Sequence, residues 1–472
     1  MIDAFVRHYG NSHCANFFAR DGAASGTPEE AAFPSAKNGT RTASPTTAFP
    51  AIPLDSDLYR ARVEGSQVYL SFDPTETVND LRNERYAHAN QHVLGKSFLV
   101  RKAYYSIRSL IPVSLRKHLQ RLVLSRWERL IFPNWPVDFT VEDVLEQLMA
   151  LAIEANGGEP IPFIWFWPDG ASAAAILTHD VETPQGLDFC PAVMDIGQSH
   201  GIPSSFQLIP EGGYDCPPEL LDTIRRRGFE LNIHDLNHDG QLFDDRQTFL
   251  ERAQRINTHA SRVGALGFRS GRMYRQSDWY DALKFSYDMS VPNVAHLEPQ
   301  RGGCCTALPY FIGDVLELPL TTVEDYTLFY ILRERNIDLW RLQGELIRLR
   351  HGLISFMVHP DYVQGTHELR MYEDLMEYIS GLRDQHGVWT ALPREVDEWW
   401  RNRTSMTLTG SGKDWKIEGK DSQRACLAYA SLQDGKLVYS VAADGRSQSA
   451  LNNGMRSPHR RPIRTRLCEE SS

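Results

Sequence analysis

The sequence is short of cysteine, and its 7 cysteines form no pattern. Cys14, Cys190, Cys216, Cys304, Cys305, Cys426 and Cys468 contain no Cys-x-x-Cys pair. A zinc knuckle and a disulfide framework are therefore not indicated, and reduced thiols are expected. The adjacent Cys304 and Cys305 cannot easily chelate one tetrahedral ion, so a core or pocket-wall place is expected for them. Long apolar runs are also lacking: the most apolar, Ile161 to Trp167, is far too short to span a bilayer. The stretch Met1 to His8 has no apolar core after a basic start, so no signal peptide is read there and the cytoplasm is the expected compartment. Positive charge is not in excess. A net charge of −10 argues against nucleic acid as the main partner. No internal repeat is visible.

What is present suits a soluble globular protein. Hydrophobic content of 42% and charged content of 23% are ordinary, and 472 residues allow one large domain with appendages. The stretch from Gly22 to Pro53 is rich in Ala, Ser, Thr, Gly and Pro, so residues 1–58 are expected to be mostly disordered. Val63 to Phe72 reads as a strand. Residues 59–160 read as a helical extension that includes a basic stretch, Tyr86 to Ile131, and a helix over Thr140 to Ala155 opened by Thr140. The basic stretch carries Arg116, Lys117 and Arg121 on a helix from about Ser114 to Arg129. Its expected role is a solvated face, or contact with an anionic membrane or an acidic polymer.

From Ala173 short β-rich runs alternate with helical stretches. The runs lie at Ile176–His179, Ser205–Ile209, Glu230–Ile233, Ala265–Phe268, Ser286–Ser290, Val315–Leu318, Leu353–Val358 and Val388–Ala391. Alternation of strand and helix implies a parallel sheet, and about eight units in roughly 220 residues fit a closed or distorted (β/α) barrel. The fold class is α/β, with the barrel over 161–403, a small β appendix over 404–445 and a disordered tail over 446–472. Such barrels place chemistry at the C-terminal ends of their strands.

Four strand ends carry candidate groups. Asp180 and Glu182 lie one residue apart, and on a strand both point to one face. Neighbouring carboxylates repel unless a cation or proton lies between them, so the pair reads either as a base beside a metal ligand or as two solvated acids in a turn. His234 and His238 are spaced to chelate one cation where the backbone turns helical. His88 and His92 share that spacing without a strand-end carboxylate pair, and read as surface or packing residues. Arg269 could hold a carboxylate ionised and oriented, or form a rim salt bridge. His359 ends an apolar strand, just before Pro360. Together these positions favour a metal hydrolase site.

The order and spacing of these motifs resemble the polysaccharide deacetylase family, the NodB-homology domain of carbohydrate esterase family four. The resemblance covers roughly 161–401. Thr178-His179-Asp180-Val181-Glu182 is similar to the first motif in its Asp-x-Glu form, His234 and His238 to the His-x3-His motif, and Arg269 to the Arg-x-Pro motif, with Ser270-Gly271 replacing its end. Met357-Val358-His359 is similar to the fifth. The fourth, an Asp followed by Trp that would tune the histidine and wall the acetyl pocket, is not clear: Tyr287-Asp288 lacks the tryptophan.

The resemblance implies a distorted barrel that removes N-acetyl groups from a sugar or polysaccharide precursor. It implies one divalent metal ion on Glu182, His234 and His238, expected to be Zn2+, with Co2+, Mn2+ or Ni2+ as alternatives. It implies Asp180 as base, Arg269 as its partner and His359 as acid. Tyr214 and Asp288 are the expected substrate-binding residues, with a backbone N–H near Tyr214 facing the oxyanion. The alternatives are a hydrolase of another small N-acyl or N-formyl compound, and a non-catalytic scaffold in polysaccharide assembly.

Overall fold

The computed structural model describes residues 1–20, 61–87, 124, 127–412 and 414–442. The low-complexity segment 22–53, His88 and His92, most of the basic stretch and the tail from 446 lie outside the described residues.

Residues 1–20 correct the expectation of a disordered start. Ile2, Phe5 and Tyr9 recur at helical spacing, and helix α1 (Asp3–Tyr9) turns them into the largest apolar core. Phe5 and Tyr9 are wholly buried. Gly10, in the left-handed region at φ 63°, ends the helix. Strand β1 (Phe18–Arg20) then pairs parallel with β3 (Gln67–Leu70), which forms an antiparallel hairpin with β2 (Ala61–Glu64). The expected strand over Val63 to Phe72 is thus a hairpin, because Glu64 to Gln67 carries a turn at Gly65 (φ 60°). Helix α2 (Pro74–Arg82) is capped by Asp73. Helix α3 (Thr140–Ala155) has the expected bounds, but its first amide is capped by the Asp138 carboxylate at 2.9 Å rather than by Thr140.

The barrel starts later than residue 161. Strand β4 (Ile161–Ile164) belongs to a separate three-stranded sheet that also holds β16 (Leu427–Gln433) and β17 (Lys436–Val441). The C-terminal appendix is therefore built onto the N-terminal part of the chain. The Tyr9 and Tyr439 hydroxyls meet at 2.7 Å, and α1, α3, β4 and β16 share one core. A second hairpin, β14 (Thr407–Ser411) with β15 (Asp414–Glu418), completes the antiparallel β appendix read from the sequence.

The main sheet is α/β and follows the expected strand runs closely. It holds β5 (Ala174–Val181), β6 (Ser205–Leu208), β7 (Glu230–His234), β8 (Gly267–Arg269), β9 (Tyr287–Asp288), β11 (Val315–Glu317), β12 (Leu353–Met357) and β13 (Trp389–Thr390), all parallel, with β10 (Tyr310–Ile312) as an antiparallel edge. Helices α4 (Pro184–Ser199), α5 (Pro218–Arg226), α6 (Arg246–Val263), α7 (Asp338–Leu349), α8 (Thr366–His386) and α9 (Pro393–Ser405) connect or close the strands. Every residue of β5 is buried, as a strand covered on both faces must be. The sheet curls until the segment after β11 meets β12. Threonine side chains make that seam: Thr321 Oγ1 donates to the Leu353 carbonyl and Thr322 Oγ1 to the Ser355 carbonyl, both at 2.8 Å. Side chains in place of a backbone ladder are what distort this (β/α) barrel. Among the described residues no helix is long and apolar enough to cross a membrane.

Candidate metal centre and acid–base pair

Strand alternation sets the first half of the site. Thr178, Asp180 and Glu182 share one face of β5 and its end, while His179 turns the other way. His179 is spent on packing: its Nδ1 bonds the Val358 carbonyl at 3.2 Å and its Nε2 meets the Tyr372 hydroxyl at 3.4 Å. Arg269, at the end of β8 and wholly buried, donates from Nη1 to Thr178 Oγ1 and to Asp180 Oδ1, both at 3.0 Å, and from Nε to the Met289 carbonyl. Burial pushes the Asp180 carboxyl up, but Arg269, then His234 and His359, outweigh it and hold Asp180 below the usual carboxylate range.

His234 and His238 converge as expected, by another route. The chain between them is not helical: Asp235 and His238 sit at φ 57° and 56° in a tight irregular bend. The two rings are nonetheless 4.8 Å apart. One donor atom from each of Glu182, His234 and His238 lies within 4.8 Å of the others. His234 Nδ1 donates to the Arg269 carbonyl at 3.2 Å, which aims Nε2 into the site, and that buried Nε2 has no hydrogen-bond partner. Glu182 Oε1 lies 3.0 Å from His238 Nε2. Burial opposes ionisation of Glu182, yet His238 leads the cationic neighbours that pull its carboxyl far below the usual range. An inward, unpartnered imidazole nitrogen beside a second imidazole and an ionised carboxylate is a donor set that fits a divalent cation.

His359 follows β12 and faces the same point, with Nε2 3.8 Å from Glu182 Oε1. Its Nδ1 donates to Asp325 Oδ1 at 2.6 Å, and its backbone amide to Asp325 Oδ2 at 2.7 Å. Burial lowers the imidazole pKa, but Asp325 first, then Glu182 and Asp180, carry it well above the usual value. Asp325 is a site residue that sequence reading missed. The signal was Asp325-Tyr326, an Asp before an aromatic residue, with Tyr where the fourth motif has Trp. Tyr326 packs on Tyr330 and Tyr362, at 5.3 and 5.5 Å, as an aromatic wall beside His359. Asp361 is a second missed residue. Its carboxylate takes the Glu182 amide at 3.1 Å and the Thr183 hydroxyl, fixing the end of β5 to the end of β12. Tyr362 donates to Glu182 Oε2 at 3.2 Å.

The side chains of the two expected substrate-binding residues are engaged in contacts within the protein. The Tyr214 hydroxyl donates to the Val181 carbonyl at 2.7 Å and accepts the Ile209 amide at 3.0 Å, so its side chain ties β5 to β6. Asp288 lies on the opposite face from Tyr287, whose hydroxyl bonds Asn232. There Asp288 accepts Ser290 Oγ at 2.6 Å, and burial raises its pKa. Cys304 and Cys305 are fully buried, and burial pushes both thiols up, as core positions do.

No protein-family model matches the sequence, and no curated protein matches it. Solved structures similar to this chain include a putative polysaccharide deacetylase from Mycobacterium smegmatis, at 18% identity over 54% of this chain and 100% of that one, with a TM-score of 0.41. A probable polysaccharide deacetylase from Pseudomonas aeruginosa is 12% identical over 50% of this chain and 93% of its own, with a TM-score of 0.40. Puue allantoinase is 12% identical over 50% and 92%, with a TM-score of 0.39.

Proposed function

We propose that the chain is a divalent-metal-dependent hydrolase that removes N-acetyl groups from a sugar or polysaccharide precursor. The observation that carries the reading is the convergence of Glu182, His234 and His238 between an arginine-held Asp180 and an aspartate-held His359. A zinc or similar ion on those three donors would supply a Lewis acid for an amide carbonyl and for water. The chain's own groups divide the proton work. Asp180, anionic beside Arg269, accepts the proton of the attacking water. His359, protonated beside Asp325, gives a proton to the departing amine, which is a poor leaving group without it. The two stand against different members of the trio: Asp180 Oδ2 is 3.7 Å from His234 Nε2, and His359 Nε2 is 3.8 Å from Glu182 Oε1. The tyrosines at 326, 330 and 362 offer faces on which an acetamido sugar would pack.

The test is acetate release by metal-free and Zn2+-loaded chain from N-acetylglucosamine oligomers and from lipid- or nucleotide-linked N-acetyl sugars. Metal-dependent acetate supports the reading. Formate or another acid, released only from small N-acyl compounds, would replace it with the wider hydrolase. No product from any of them, with no bound metal, leaves a scaffold.

A further inference from the structure

The loop that follows Arg269 is held in a strained form by a residue from the N-terminal part of the chain. Arg272 and Met273 adopt φ of 59° and 53°. Two successive side-chain-bearing residues in the left-handed region persist only where the surroundings fix them. Here the surroundings include Glu84, itself at φ 56° and nearly buried. Its carboxylate takes Arg275 Nε at 2.6 Å and also Arg275 Nη2, a two-pronged ion pair between residues 191 positions apart. Glu84 further accepts the Gly303 amide at 2.6 Å. The remaining nitrogen, Arg275 Nη1, donates to the Met273 carbonyl at 2.8 Å, directly on the strained turn. Gln300 holds the Arg275 backbone from the other side, accepting its amide and donating to its carbonyl.

That loop presses on a candidate ligand. A methyl group at Gly271 would collide with Asp235 and with the His238 ring, so the backbone there lies flush against the imidazole. The Arg272 side chain lies across Gly240, on the far side of the same bend. Met273 packs on Leu320 and on Met357, two residues before His359.

We propose that the buried Glu84–Arg275 pair is a clamp through which the N-terminal extension holds the 270–275 loop against His238, making Glu84 and Arg275 positioning residues for the metal site. The inference rests on the metal-site reading above. It gives the extension a function beyond packing: the barrel alone would carry the donors, and the extension sets one of them.

The test compares full-length wild type with Glu84→Gln, which keeps an acceptor for Gly303 but loses the charge, and with Glu84→Leu/Arg275→Met, which removes both charges of the pair together and whose folding is checked by circular dichroism. Two readouts are taken on metal-free protein. Hydrogen exchange should speed at least tenfold at amides 235–238 and 271–274 in both variants, with β5 and β6 unchanged. Co2+ titrated into the same samples should bind at least tenfold more weakly than to wild type. Wild-type exchange in the folded double variant would overturn the clamp, as would Co2+ affinity within twofold of wild type. Failure of wild type to take up Co2+ would contradict the proposed function instead, and the exchange readout would still decide the clamp.

Discussion

At the scale of single residues, Asp180 and His359 have opposite proposed proton roles. Asp180→Asn keeps a side chain of the same shape but cannot accept the water's proton, and His359→Ala cannot protonate an amine. Each should lower amide turnover by about 10²–10⁴-fold. An activated ester, whose leaving group needs no proton, should rescue His359→Ala and not Asp180→Asn; equal rescue of both would show the roles are misassigned. Asp325→Asn adds a pH signature. Asp325 is the leading group that raises the His359 pKa, so removing its charge lets that pKa fall. The alkaline limb of kcat should then move to lower pH, and an unmoved limb would mean that His359 is not the acid. These roles were legible because Asp180, Glu182, His234, Arg269 and His359 all sit at or just past strand ends, where period-2 alternation fixes direction. Asp325 was not legible because it follows β11 on an irregular segment, where no period tells which way a carboxylate points.

Between elements, the most telling contact is Glu142 on the first turn of α3. It is buried, accepts the Thr306 hydroxyl and the Ala307 amide, and so docks the helix onto the barrel. Burial pushes its carboxyl up to about 7. The sign follows from linkage. A carboxyl that binds its proton more tightly folded than unfolded gives stability that is complete below the unfolded pKa, near 4.5, and is lost as pH rises through about 7. Glu142→Gln keeps the acceptor and removes the titration. Denaturant unfolding at pH 5 and pH 8 should show wild type losing up to about 3 kcal/mol more than the variant across that interval. Glu298, also pushed up to about 7, titrates in both proteins, so the difference between them isolates Glu142. Parallel curves would show that Glu142 ionises without cost. The strands of the sheet were readable because each is a short apolar run between breakers, whereas the bend from His234 to His238 was not, since two left-handed residues without glycine leave no mark in sequence.

On the scale of the whole molecule, the described residues form a barrel with residues 1–20 and the 427–441 hairpin packed together beside it. Residues 1–20 escaped sequence reading because a helix of 7 residues gives too short an apolar period, isolated by a low-complexity segment. Its burial says that the N-terminus is part of the core. Phe5→Ala should cost about 3–5 kcal/mol in denaturant unfolding, the range for a buried phenylalanine; a cost below about 1 kcal/mol, the range of ordinary surface changes, would mean that α1 does not stay docked in solution. The basic stretch makes a separate prediction. Replacing Arg116, Lys117 and Arg121 with Glu should leave turnover of a soluble substrate intact and reduce sedimentation with anionic vesicles, and loss of soluble turnover in a folded protein would place the active site elsewhere.

The central claim is that Glu182, His234 and His238 hold one divalent ion. Elemental analysis of metal-free chain reloaded with Zn2+ and dialysed tests it most directly. The account predicts one ion per wild-type chain, one per Asp180→Asn and His359→Ala chain, and none in the folded His234→Ala/His238→Ala double variant. A wild-type chain without metal, or a double variant that retains it, would contradict the account.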